Sequence, residues 1–168
     1  IGYARARASR LTYVGELGWE LYIPAEYVSG IYEALVKAGA DISLKHVGMH
    51  AVNSLRMEKG YRHWGHDISD EETPLEAGLG FAVAWDKPNG FIGKESLLRQ
   101  RGQPTTKRLV QFLLTDPEPL LYHNEPVYRD GAIVGYVTSG MYAHALGSAA
   151  ALGYVSHAGG VTVEFVEA

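Results

Sequence analysis

Between Asn53 and Leu79 the chain places Arg56, Lys59, Arg62, two histidines, Trp64 and Tyr61 beside five acidic residues that precede Pro74. Polar groups of both signs next to broad aromatic faces are what a pocket needs to hold a flat, polar, partly charged small molecule. Arg56 could clamp a carboxylate in a forked geometry that lysine cannot reproduce. It could equally lay its stem along apolar surface and pair with a nearby carboxylate. Trp64 could plug the core or form an aromatic wall for a flat ligand. A third candidate, Glu16, lies in Gly15-Glu16-Leu17-Gly18. A carboxylate in such a turn is commonly just solvated. Alternatively, the glycines admit a ligand closely and the carboxylate accepts two N–H groups of an aminopyrimidine-type ring. Spacing alone does not choose between these readings.

Other motifs carry less. His63-x-x-His66-Asp67 offers metal-ligand residue types. It lacks a His-Glu-x-x-His pattern, Gly65 interrupts it and no third ligand is marked, so no metal site is expected. Gly78-Leu79-Gly80 lacks the third glycine and the strand-to-helix context of a dinucleotide fingerprint. Thr138-Ser139-Gly140 supplies hydroxyls without an evident base, and a triad with His144 or His157 is not expected. The acidic run Asp67–Glu72 reads as a solvated loop whose Thr73 end caps a helix.

These residues need elements to hold them. Arg5–Val14 and Trp19–Ile23 read as a hairpin with Glu16 at its tip, since Trp19, Leu21 and Ile23 share one face at period two. A helix is predicted from Pro24 to Gly39 with Val28, Ile31, Tyr32, Leu35 and Val36 as its apolar stripe, a stripe that needs a sheet to cover. A second helix is predicted over about His46–Lys59, with Val47, Ala51, Val52 and Leu55 buried and Gly60 as left-handed cap. Thr73-Pro74-Leu75-Glu76 reads as a capping box. Phe81, Val83 and Trp85 alternate as a strand, and Lys94–Arg101 reads as a helix closed by Gly102. Gln103–Thr106 is the linker candidate, because short strands dominate beyond it: Arg108–Leu114, Pro126–Tyr128 joined through Asp130-Gly131 to Ile133–Thr138, Ala149–Val155 and Val161–Val166. Asp-Gly between alternating apolar residues is a strong hairpin signal. Five or more short strands predict a small antiparallel barrel or sandwich.

The bulk numbers bound the function. With 168 residues and 46% hydrophobic content the chain can build a real core. A net charge of −4 gives no basic footprint for nucleic acid. The chain contains no cysteine, which removes disulfides and thiolate chemistry and is compatible with a reducing compartment. No apolar run reaches the length of a membrane span. A soluble protein of the cytoplasm, or of the mitochondrial matrix in a eukaryote, is expected. The start at Ile1 rather than methionine leads us to expect a fragment.

Several blocks carry a family resemblance. Tyr13-Val-Gly-Glu-Leu-Gly-Trp-Glu-Leu-Tyr-Ile-Pro24, Asn53-Ser-Leu-Arg-Met-Glu-Lys-Gly60, Trp64-Gly-His-Asp67, Thr73-Pro-Leu-Glu-Ala-Gly-Leu-Gly80, Phe91-Ile-Gly-Lys-Glu95 and Val137-Thr-Ser-Gly140 resemble, in order, segments of the glycine-cleavage T-protein (aminomethyltransferase) superfamily. The wording around Arg56 is most similar to the folate-binding C-terminal region of dimethylglycine and sarcosine dehydrogenases. The resemblance implies tetrahydrofolate as cofactor and an amine-derived one-carbon donor as partner. It implies a pterin contact at Glu16, a folate contact at Arg56 and an aromatic near the ligand at Trp64. The family's catalytic aspartate belongs to an N-terminal half absent from this sequence, as does the flavin domain of the dehydrogenase parents. No catalytic residue is therefore assigned, FAD is expected only in a longer parent, and the missing half or another subunit is an expected partner.

The expected fold is α+β: a mixed antiparallel sheet with helices over 1–102, the C-terminal portion of a folate-binding aminomethyltransferase domain, then a small antiparallel β-barrel over 107–168. The expected function is the tetrahydrofolate-binding portion of an aminomethyltransferase-like protein or a dimethylglycine/sarcosine dehydrogenase. The rival is a non-catalytic binding or protein-interaction module with the same fold.

Overall fold

The computed structural model describes residues 1–167. Its elements run β1 (Arg7–Ser9), β2 (Glu20–Tyr22), α1 (Val28–Gly39), α2 (Met49–Glu58), α3 (Lys94–Arg101), β3 (Lys107–Leu113), β4 (Pro126–Arg129), β5 (Ala132–Ala143), β6 (Ser148–Ser156) and α4 (Val163–Glu167). The class is α+β as expected, with a two-stranded sheet β1-β2 and a four-stranded antiparallel sheet in the order β3-β6-β5-β4.

Local chemistry explains several joints. Asp130 and Gly131 both take positive φ, 50° and 79°, and link Arg129 to Ala132 as a two-residue hairpin turn. Gly60, at φ 64°, closes α2: the N–H of Gly60 donates to the Met57 carbonyl and that of Tyr61 to the Arg56 carbonyl. Thr73 and Glu76 form the reciprocal capping box, with the Thr73 N–H donating to Glu76 Oε2 at 2.8 Å and the Glu76 N–H to Thr73 Oγ1 at 3.2 Å.

The core sits where α2 crosses the larger sheet. β6 is its centre, buried from Ser148 to Val155, with the small side chains Ala149–Ala151 letting neighbours pack closely on it. A Cβ at Gly135 would collide with the Tyr154 carbonyl oxygen of that strand, so β5 approaches β6 closely only because Gly135 has no side chain. Met57 lies fully buried in one cluster with Leu109, Ala143, Ala150, Leu152 and Tyr154. Ser54 Oγ donates to the Tyr142 carbonyl at 2.6 Å, and Gln111 Nε2 donates to the Met57 carbonyl at 2.5 Å. The main core thus joins residues from both sides of Gln103–Thr106.

Five expectations are corrected. The buried positions of α2 are Ser54, Arg56 and Met57, whereas Val47 is exposed; the hydroxyl of Ser54 is satisfied across the interface, so polarity did not keep it out. Phe81, Val83 and Trp85 are not a strand: Gly80–Ala82 is a 3₁₀ turn, and the Trp85 indole N–H returns to the Gly80 carbonyl at 3.0 Å. Val161–Val166 is not a strand either. Thr162 Oγ1 accepts from the Phe165 N–H at 3.2 Å and starts α4, whose Phe165 stacks on His157. The first hairpin is shorter than expected, because Ser9 pairs with Glu20 and residues 10–19 form the connection. There Thr12 Oγ1 accepts from the Val14 and Gly15 N–H groups, a local bond that competes with the ladder. The stripe of α1 also stays largely open: Ile31 is buried, while Val28, Tyr32 and Leu35 are exposed.

Candidate functional site

The sharp turn at Gly60 aims the Tyr61–Ile68 loop back over the end of α2, and Asp67 becomes the point on which that loop is fixed. Asp67 is 1% exposed. Its Oδ2 accepts from Arg56 Nη1 at 2.6 Å and from the His63 N–H at 2.8 Å; its Oδ1 accepts from Thr138 Oγ1 at 2.6 Å and from Ser139 Oγ at 2.7 Å. Both carboxylate oxygens are therefore doubly satisfied, as a buried charge requires. This overturns the reading of Asp67 as part of a solvated acidic loop.

Arg56, 3% exposed, completes the node. Nη1 also donates to the Tyr61 carbonyl at 3.0 Å and Nη2 to Ser139 Oγ at 3.0 Å, while Nε is buried without a partner. The two Nη atoms that would fork onto a ligand carboxylate are held by the protein. The hydroxyls of Thr138-Ser139 are likewise engaged with Asp67. His144 and His157 lie elsewhere, against Tyr142 and the Gly160 carbonyl.

Glu16 and Trp64 are placed differently. Glu16 has a 71% exposed side chain, and its carboxylate lies 3.7 Å from Lys59 Nζ, itself well exposed, so the pair is a weak surface contact. Gly15, at φ 78°, lets the Lys59 stem lie against the turn where a Cβ would clash. The connection is anchored nearby: Tyr13 Oη donates to the Arg62 carbonyl at 3.0 Å and its ring stacks on Tyr61, with centroids 6.4 Å apart. Burial raises the Tyr13 phenol above its ordinary pKa, with Arg56 lowering it less and Asp67 adding to the rise, so the donor is retained. Trp64 is 68% exposed, on a backbone bridged to Ile68 and turned at Gly65. It is therefore a free aromatic face rather than a core plug. Among the described residues no hydrogen bond or ion pair joins Glu16, Arg56 and Trp64 to one another. A second exposed carboxylate, Glu20 on β2, accepts from Tyr22 Oη at 2.7 Å, with the Trp19 side chain exposed next to it in sequence.

The rings of His63 and His66 are 4.5 Å apart, and among the described residues no group of three or more histidines and carboxylates is arranged to hold a metal ion. Sequence reasoning missed Asp67, Thr138 and Ser139 as one unit. The only available signal was the presence of Asp and Thr-Ser within separate blocks of the resemblance.

Glu72, also outside the solvated reading, accepts from the Ser69 N–H and hydroxyl and pairs with Lys107 Nζ at 3.0 Å. Burial raises its pKa, but the bonds from Ser69 and Lys107 outweigh that and hold the carboxyl below its ordinary 4.5. A depressed folded-state pKa contributes stability that is fully present above the unfolded value and is lost as pH falls through the folded one. Urea midpoints taken from pH 7 downward should fall below pH 4.5 in the wild type, and Glu72→Gln should flatten that part of the curve. An unchanged slope in the variant would refute the assignment.

Comparison with known proteins gives a consistent picture. Residues 1–87 match the family model described as the GCVT N-terminal domain, and residues 107–167 match the glycine cleavage T-protein C-terminal barrel domain. The chain is 47% identical over 148 residues to 4-methylaminobutanoate oxidase (formaldehyde-forming) of Paenarthrobacter nicotinovorans, covering 88% of this chain and 18% of that protein. It is 40% identical over 163 residues to mitochondrial sarcosine dehydrogenase of Homo sapiens, covering 96% and 18%. Its fold is similar to the crystal structure of glycine cleavage system aminomethyltransferase T from Bartonella henselae, with a TM-score of 0.79 at 28% identity, covering 89% of this chain and 41% of that one. The chain thus spans under a fifth of the length of these two curated relatives.

Proposed function

Because this chain belongs to the glycine cleavage T-protein family, we propose that it is the tetrahydrofolate-binding portion of an aminomethyltransferase-like protein or of a dimethylglycine/sarcosine-type dehydrogenase. The observation that carries this reading is the docking of the residue 10–19 connection onto the Tyr61–Ile68 loop through Tyr13 and Arg62. It sets an exposed carboxylate and an exposed indole on two segments braced against each other, and a flat ring with N–H donors fits that donor and acceptor set. Tetrahydrofolate, when bound, supplies the nitrogens that accept a one-carbon unit from an amine.

The chain's own residues bind and orient. Glu16 would exchange its weak Lys59 contact for N–H groups of the pterin, and Trp64 would cover a ring face and displace water. Arg56 acts through Asp67 as a positioning residue: it holds the loop that carries Trp64. Residues 1–102 supply these groups, and the strands between Lys107 and Ser156 supply the sheet on which the Arg56–Asp67 node closes. Productive transfer depends on such positioning, and we place the catalytic aspartate and any FAD in a longer parent or a partner subunit. Among the described residues no helix is long and apolar enough to cross a membrane, and the cytoplasm or mitochondrial matrix fits the reading.

An anaerobic titration with tetrahydrofolate, followed by calorimetric heat and tryptophan quenching, tests it. Glu16→Gln should weaken binding tenfold or more, which corresponds to about 1.4 kcal/mol or more. Loss in Glu20→Gln with Glu16→Gln unaffected would move the contact onto β2. Absence of binding to the folded chain, with or without an added N-terminal half, would leave the non-catalytic module as the better account.

A further inference from the structure

We propose that the cleft between α2, the His63–Asp67 loop, the Tyr122–His123 segment and β5 is a binding site for a small oxyanion, carboxylate or phosphate. The cleft has a volume of about 270 Å³, enough for either group. Four of the seven histidines of the chain line it: His50, His63, His66 and His123. The other three face partners of their own, His46 the Tyr32 hydroxyl, His144 the Tyr142 ring and His157 the Gly160 carbonyl. Among the described residues, none of the four cleft rings makes a hydrogen bond to the protein, so their N–H groups are available.

The floor of the cleft supplies an independent observation. Arg56 lines it, is 3% exposed, and keeps one buried donor, Nε, without a partner. A buried unpartnered donor costs free energy unless something accepts from it. Asp67, the carboxylate beneath the cleft, does not serve, because both its oxygens are already satisfied by four donors. Of the other nearby acids, Glu58 accepts from the Ala145 N–H and Glu125 accepts through Oε1 from the Tyr122 N–H, while Glu125 Oε2 is buried without a partner. The residues that line the cleft are rich in donors, four imidazoles and Arg56, and include no carboxylate, and Asn53 adds an amide. A metal ion fits less well, since no three histidines or carboxylates among the described residues are arranged to hold one.

Proton uptake follows from the same arrangement. His63 titrates below its ordinary value, first because it is buried and then because His66 and Arg56 lie close, with Asp67 opposing. Its neutral ring still offers one N–H. Imidazoles gain charge as the solution is acidified, so an anion should bind more tightly as pH falls.

The test uses inorganic phosphate and succinate as separate probes, with imidazole nuclear magnetic resonance signals as the readout. Each probe should shift the signals of His50, His63, His66 and His123 while leaving those of His144 and His157 in place. Affinity should rise at least tenfold as pH is lowered from about 8 to about 5. His66→Gln/His123→Gln alters two exposed side chains, so it should keep the wild-type circular dichroism and urea midpoint while losing tenfold or more in affinity. A response to phosphate alone assigns the site to phosphate groups, and a response to succinate alone assigns it to carboxylates. Equal shifts at all seven histidines, affinity unchanged in the folded double variant, or no saturation with either probe at millimolar concentration would overturn the proposal.

Discussion

Replacing Asp67 by alanine should destabilise the fold by about 3–5 kcal/mol, the cost of breaking a buried pair and leaving the other charge uncompensated. The size follows from what remains behind. Arg56 would keep its Tyr61 carbonyl and Ser139 hydroxyl contacts but would have no counter-charge in a site that is 3% exposed. Thr138, Ser139 and the His63 N–H would lose an acceptor at the same time. Urea unfolding measures the loss, and tryptophan emission reports whether the loop carrying Trp64 has moved. Removing both charges, as Arg56→Met with Asp67→Leu, should recover part of the loss, because an apolar replacement of a buried pair escapes its desolvation cost. A single-variant loss below about 1 kcal/mol, the scale of an exposed pair, would show that water reaches the node.

Met57→Ala should cost about 2–5 kcal/mol, the range for truncating a buried methionine to alanine. Met57 is fully buried, and its neighbours Leu109, Ala143, Ala150, Leu152 and Tyr154 come from three strands that cannot all collapse inward together. The cavity should therefore persist and put the loss in the upper part of the range. Met57→Leu, which keeps the volume approximately, should cost less than about 1.5 kcal/mol. If the urea transition of the alanine variant splits in two, residues before and after 103–106 unfold separately. A single transition with a lower midpoint shows that the shared core binds them into one cooperative unit.

How much of this was readable from the chain depends on how far each interaction reaches. The Lys94–Arg101 helix, the Asp130-Gly131 turn, the Gly60 cap and the Thr73–Glu76 box came out as the residues predict, since each is decided within a few positions. The alternating segment at Phe81–Trp85 and the β-branched run after Gly160 misled for a related reason: period two states a preference, and the indole bond from Trp85 to the Gly80 carbonyl or a threonine cap at Thr162 decides the outcome locally. Asp67 was illegible in another way. In a run with Asp70, Glu71 and Glu72 it has the composition of a solvated loop, and nothing near it announces that Thr138 and Ser139 bring its donors. Arg56 was singled out, but pattern left its role open between ligand clamp and ion pair. The structure gives its Nη atoms to the pair.

The distance along the chain between the members of that node sets an order of events during synthesis. Arg56 and Asp67 are made close together, 11 residues apart, and can meet as soon as both have left the ribosome. Ser139 follows Asp67 by 72 residues. At about 5–20 residues per second, several seconds pass in which the pair must remain hydrated, because the hydroxyls that let it dry do not yet exist. The nascent segment up to Gly102 thus waits in an open form, with Met57 also lacking its strands, and it is during this interval that a chaperone would find it.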